Sequence, residues 1–188
     1  MYLFFDGVSS RWYIALFSEE REILWEKYFE ISGNESTKTI PLIDEFMSSQ
    51  SMSYDDIKNI VCVSWPGSFT WIRTLSLVVN TISYLYPHIL LTWVNFFDMY
   101  QNYPIVKASS KRDLFVKYEN SATIQVQQNQ DFIEHFTWNT IYWDIQQEQI
   151  INKYRVRQGI DYASYIKNVT LWSEKRIAPL YIKKPNIS

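Results

Sequence analysis

Glycine is scarce in this chain. The 188 residues hold 4 glycines, where an ordinary usage near ~7% would supply about a dozen. They are Gly7, Gly33, Gly67 and Gly159. The C-terminal half has Gly159 alone, so it offers no glycine-rich loop to cradle a phosphate chain. Cysteine is scarcer still. Cys62 is single, which excludes an intramolecular disulfide and favours a reducing, cytoplasmic setting. It sits in the run Ile60-Val61-Cys62-Val63, where a small buried hydrophobe is expected and not a nucleophile. The two histidines, His88 and His135, are far apart and lie in neither HExxH nor HxxxH. No metal site is expected from them. G-x-S-x-G is absent, so a hydrolase elbow at Ser68 has no support. Basic residues form no block: 18 Lys and Arg face 20 Asp and Glu. A large electrostatic footprint for nucleic acid is thereby excluded. Long apolar runs are also missing. The stretch 69–97 is broken by Arg73, Asn80, Pro87, His88 and Asn95, so no membrane span is expected. Asp6 follows the first residues too soon for a secretory leader.

What is abundant is aromatic. The chain has 14 Tyr, 11 Phe and 8 Trp. Without interleaved basic residues these read as core packing and not as base-stacking platforms. Residues 2–5 read as a buried strand ending at Asp6. Residues 12–17 and 22–29 predict a hairpin across Ser18-Glu19-Glu20-Arg21. Residues 36–49 predict a helix with Ile40, Ile43, Phe46 and Met47 on one face, and Pro41 within its first turn. Residues 60–64 predict a second buried strand, 69–86 a helix ending before Pro87, 89–94 a strand and 95–102 a short helix. From Pro104 the texture changes. Strands are predicted at 105–109, 113–118 and 121–127, a short helix at 130–136, a strand at 139–145, a helix at 160–168 and an extended tail at 179–182. Residues 145–155 give no clear signal. The whole is an α/β chain of two lobes, 1–103 and a smaller 104–188.

The segment Trp65-Pro66-Gly67-Ser68-Phe69-Thr70-Trp71 joins a strand to a helix. Proline fixes one φ, glycine frees another, and Ser68 is a fair cap. As chemistry this is an ordinary capped turn, although such helix starts do hold anions. The helix behind it says more. Phe69, Ile72, Leu75, Val79, Ile82 and Tyr86 make one apolar stripe, while Trp71, Leu77, Val78, Tyr84 and Leu85 lie elsewhere around the cylinder. A helix apolar on most sides is covered on most sides. The cover is either a partner or the 36–49 helix with the second lobe.

These residues resemble the TsaB (YeaZ) family, whose motif is commonly written G-P-G-S-F-T-G-x-R and is matched here through Pro66-Gly67-Ser68-Phe69-Thr70 and Arg73. Asp6 after the first strand, Leu91 to Met99, strands 105–118 and the closing Pro179-Leu180-Tyr181-Ile182-Lys183 are similar to the family as well. The resemblance implies an actin-like ATPase (ASKHA, ribonuclease H-like) fold of two lobes with mixed sheets, the second shortened here. It implies a non-catalytic subunit, without cofactor, that activates a TsaD-like enzyme in making N6-threonylcarbamoyladenosine at position 37 of tRNA. A TsaE-like ATPase joins that complex, and tRNA is met only through the partner. The helices at 36–49 and 68–86 then supply the interface, with Ile40, Ile43, Met47, Ile72, Leu75, Val79 and Ile82 as its expected residues. A homodimer through the same helices is compatible. Asp6 and Ser9 fall where actin-like ATPases handle phosphate or metal, so the resemblance implies a vestigial nucleotide site there, while on its own chemistry Asp6 reads as a turn-forming residue. The alternative is a small ATPase or kinase that uses Asp6.

The family's glycines at three places are tryptophans here: Trp65, Trp71 and Trp93. Tryptophan for glycine at a tight turn forces a large ring into little space. Two explanations stand. The loop is rebuilt around aromatics, or UGA codons meaning glycine have been read as tryptophan.

Overall fold

The computed structural model describes residues 1–30, 35–66, 69–109, 112–137, 139–144, 153–157, 159–172, 174 and 176–178. Contacts divide the chain into two compact units: Met1–Asn95 with Tyr162–Ser188, and Phe96–Asp161.

The first unit is built on a five-stranded sheet. Its strands are β1 (Tyr2–Asp6), β2 (Trp12–Phe17), β3 (Ile23–Phe29), β4 (Asn59–Trp65) and β5 (Leu90–Asn95). Their order is β3-β2-β1-β4-β5. β1–β2 and β2–β3 are antiparallel, and β1–β4 and β4–β5 are parallel. Every residue of β2 is buried, as a strand covered on both faces must be. Helix α1 (Glu35–Ser49) and helix α2 (Phe69–Leu85) supply the layer on one side, α2 lying on β4 and β5 and α1 against α2. On the other side is α4 (Tyr162–Asn168), whose Tyr162 stacks on Tyr13 at 3.8 Å between centroids and meets Phe4 edge-on.

The second unit repeats this topology on a smaller scale. Its strands are β6 (Ile105–Ala108), β7 (Asp113–Lys117), β8 (Gln125–Gln128), β9 (Thr140–Asp144) and β10 (Arg155–Arg157). The order is β10-β9-β6-β7-β8, with β6–β7 and β7–β8 antiparallel and β6–β9 and β9–β10 parallel. Read from its first strand, each sheet has the same order: three antiparallel strands on one side and two parallel strands on the other. The helix after the third strand is α1 in the first unit and α3 (Asn129–His135) in the second. Val106, Leu114, Val116, Phe132, Phe136, Ile141 and Tyr154 make the second unit's core.

Several expectations change. The predicted helix at 160–168 is α4, but it packs in the first unit against β1 and β2 and not in a second lobe. The units divide at 95/96 and return at 162, not at 103. Tyr162 and Tyr165 both meet Phe4, so this helix packs on the first sheet. Pro41 is the seventh residue of α1 and not in its first turn, because the helix begins at Glu35; it contributes no N–H to the ladder there. The short helix expected at 95–102 shrinks to a 3-10 turn, Phe96–Met99. β10 emerges where no signal was read: a three-residue strand with one apolar residue between two arginines carries no periodicity. The tail expected at 179–182 and residues 145–152 lie outside the described residues.

Candidate functional site

Two places in the first unit were expected to carry function: the turn after β1 and the segment from Trp65 into α2. They meet. Asp6 ends β1, is fully buried, and its carboxylate is saturated. Oδ1 accepts the N–H groups of Val8 at 2.8 Å and Ser9 at 3.0 Å. Oδ2 accepts the Ser9 hydroxyl at 2.5 Å and the Tyr162 hydroxyl at 2.7 Å. Burial raises the Asp6 carboxyl above its ordinary value, and the bonds from Ser9, Tyr162 and Val8 only partly offset that. A carboxylate whose lone pairs are spent in this way is a turn-forming residue. It closes the β1–β2 hairpin and fastens α4, 156 residues away in sequence, onto it.

The neighbouring Gly7 is closed as well. A Cβ built there would lie 2.8 Å from Cζ2 of Trp71 and 3.0 Å from Phe5. Side chains do not approach a Cβ so closely, so glycine is required by packing at this position. Trp71, in the first turn of α2, stacks on Trp12 at 4.7 Å, and Trp12 meets Phe5 edge-on. The indole thus lies over the turn after β1, where the resemblance led a phosphate to be expected. A nucleotide and its metal do not fit these residues: the turn's N–H groups at 8 and 9 point to Asp6, and a ring covers Gly7. The vestigial site expected at Asp6 and Ser9 is therefore a structural knot.

Of the motif segment, Trp65 is buried at the end of β4, Pro66 is buried, and Arg73 is exposed on α2. Gly67 and Ser68 lie outside the described residues; Phe69 and Thr70 open α2. Trp93 is half-buried on β5 and donates its indole N–H to Glu174 at 3.1 Å. Trp65, Trp71 and Trp93 thus all have packed or hydrogen-bonded places. UGG codons at 65, 71 and 93 fit a loop rebuilt around aromatics, and UGA codons fit recoding.

Most of the expected interface residues lie inside the chain. Ile43, Met47, Ile72, Leu75, Val79 and Ile82 are all buried within the chain. They form the inner face of the helical layer, so the stripe read as surplus is mostly core. Ile40 stays exposed at 43%. The apolar residues that α2 turns outward are others: Leu77 at 68%, Tyr84 at 83% and Leu85 at 64%. Residues 77, 81, 84 and 85 share one helix face. The sequence did flag Leu77, Tyr84 and Leu85 as lying off the main stripe. Burial places the expected stripe inside the chain and these three residues outside it.

Elsewhere the inventory is plain. Burial, with Asp6 nearby, pushes the Cys62 thiol up to about 12, so it is no nucleophile at neutral pH. His88 and His135 are both exposed and lie in different units. Among the described residues no three His, Cys, Asp or Glu side chains converge, and no helix is long and apolar enough to cross a membrane.

The class this architecture defines is the actin-like α/β fold: two units of one topology, each a mixed five-stranded sheet, here with the turn after β1 packed shut by Asp6 and Trp71. Solved structures agree. YeaZ from Pseudomonas aeruginosa superposes with a TM-score of 0.58 at 12% identity, over 76% of this chain and 74% of that one. A crystal structure of an uncharacterised protein with similarity to peptidase YeaZ from Pseudomonas aeruginosa gives a TM-score of 0.69 at 12% identity, over 97% of this chain and 99% of that one. No family model matches the sequence, and no curated protein matches it. At such identities the likeness is one of fold.

Proposed function

We propose that the chain is a scaffold subunit of the TsaB (YeaZ) kind, which binds a TsaD-like catalytic subunit through the outer face of α2 and activates it in forming N6-threonylcarbamoyladenosine at position 37 of tRNA. One observation carries the reading. α2 presents Leu77, Tyr84 and Leu85 to solvent on a fold whose own phosphate turn is filled. Large side chains exposed together on one helix face mark an interaction surface. The net charge of −2 gives the chain little attraction of its own for RNA, so tRNA is held by the partner. A TsaE-like ATPase completes the assembly, and a homodimer competes for the same α2 face. No cofactor is assigned, and the setting is cytoplasmic.

The alternative, a small ATPase or kinase working through Asp6, gains nothing from the geometry, because the carboxylate already accepts four hydrogen bonds. The peptidase likeness named for one neighbour finds no support either: Cys62 is buried and Ser68 has no base beside it in sequence.

The test is binding of the purified chain to a TsaD-like subunit by calorimetry. Leu77→Glu with Leu85→Glu is expected to weaken the complex by roughly 100-fold or more while leaving the far-ultraviolet spectrum and melting of the free chain unchanged. An unchanged affinity in that variant removes the α2 face from the interface.

A further inference from the structure

The two units share a strand order but not the length of the helix that follows the third strand. α1 has 15 residues and α3 has 7. In the second unit a cleft of about 680 Å³ is left between the edge strand β8 and α3. Tyr118, Gln127, Gln128, Asp131, His135 and Phe136 are among its lining residues.

The chemistry of that lining is specific. Phe132 and Phe136 stack at 4.6 Å, and the Tyr118 ring lies 6.2 Å from Phe136. Aromatic carbon thus backs the cleft, and Val126, 42% exposed, adds an apolar wall. The rim is made of groups that read hydrogen-bonding edges. The Gln127 carboxamide is held in one orientation, its oxygen accepting from the Tyr118 hydroxyl at 2.9 Å and its nitrogen donating to Gln125 at 3.0 Å. That leaves one N–H and one lone pair of Gln127 for a ligand. Gln128 stands at the start of α3 and makes no capping hydrogen bond with its side chain. Nδ1 of His135 is engaged by the Asp131 carbonyl at 3.0 Å, which leaves Nε2 for another partner. Among the described lining residues Asp131 is the one acid, and none is a lysine or arginine.

We propose that this cleft binds an uncharged purine base or nucleoside, with adenine the best-matched edge. A carboxamide pairs in bidentate fashion with adenine's adjacent donor and acceptor, and a flat ring suits a cleft backed by aromatic carbon. Asp131, the one charged side chain among the described lining residues, selects against a phosphate. The ligand is thus a nucleoside and not a nucleotide. The site is separate from the filled turn at Asp6, which lies in the other unit.

The experiment titrates the full chain with adenosine and, separately, with AMP, following amide shifts by NMR. Adenosine is expected to bind saturably with shifts gathered in 118–137, and AMP more weakly. Gln128→Ala should weaken adenosine roughly fivefold or more. Asp131→Asn should narrow the gap between adenosine and AMP. No saturation up to about 5 mM, shifts that lie elsewhere, AMP binding the tighter, or a Gln128→Ala variant that binds like the parent would each overturn the proposal.

Discussion

The two units put one strand order to different uses. In the first, long helices cover one face of the sheet, α4 covers part of the other, and the turn after β1 is sealed by Asp6, Tyr162 and Trp71. In the second, the strands are three to five residues long, α3 has two turns, and a cleft stays open at the β8 edge. Sheet order alone therefore does not decide where a ligand can enter. The side chains around each sheet do. A saturated carboxylate and one indole close the first unit where its fold leaves an entrance, and a short helix opens the second where the first is covered.

The sharpest way to break the comparison is inside α2. Val79 and Leu77 are two residues apart and face opposite ways, one buried and one 68% exposed. Val79→Asp should cost more than about 4 kcal/mol, because an unpaired carboxylate enters the core. Soluble yield and denaturant unfolding report it.

Next in size is the knot at Asp6. Asp6→Ala leaves two backbone N–H groups and two hydroxyls without their acceptor, and should cost about 3 kcal/mol. Hydrogen exchange should show α4 loosening first. The pH dependence follows from the raised Asp6 value. A buried acid whose folded value lies above its unfolded one of 3.8 contributes most below 3.8 and loses that contribution as pH rises through the folded value. Denaturant midpoints of Asp6→Asn should therefore lack the decline between those limits that the parent shows.

A smaller effect tests the cover on Gly7. Gly7→Ala should cost about 1–2 kcal/mol by pressing on Trp71. Combining it with Trp71→Ala should remove most of that penalty, a coupling that a double-mutant cycle measures directly. Smallest of all, Leu77→Glu should change stability by less than about 0.5 kcal/mol, which is why it isolates binding from folding.

Much of this was legible in the residues. The hairpin at 12–17 and 22–29, both long helices and the strand entering Trp65 were readable because each carries a clean period and a turn or cap at its ends. The short strands β8 and β10 were blurred or lost, since three or four residues show no period. The site was harder. Asp6 reads as a turn residue or a ligand according to what lies near it, and the deciding neighbour, Tyr162, is 156 positions away. Trp71 looked like damage to a glycine motif, and it is the ring that seals Gly7. The helix periodicity marked one rich stripe on α2 but could not say that α1 and the sheet already cover it. Only burial separates Ile72 and Val79 from Leu77 and Tyr84.

The central claim, a scaffold that works through α2, is tested most directly by reconstitution. A TsaD-like subunit with its other components is assayed for threonylcarbamoyladenosine on tRNA, with this chain, without it, and with the Leu77→Glu, Leu85→Glu chain. The account predicts product with the parent chain, little or none without it or with the variant, and no ATP turnover by the chain alone. Saturable ATP turnover by the isolated chain, abolished by Asp6→Asn in a folded variant, would contradict it.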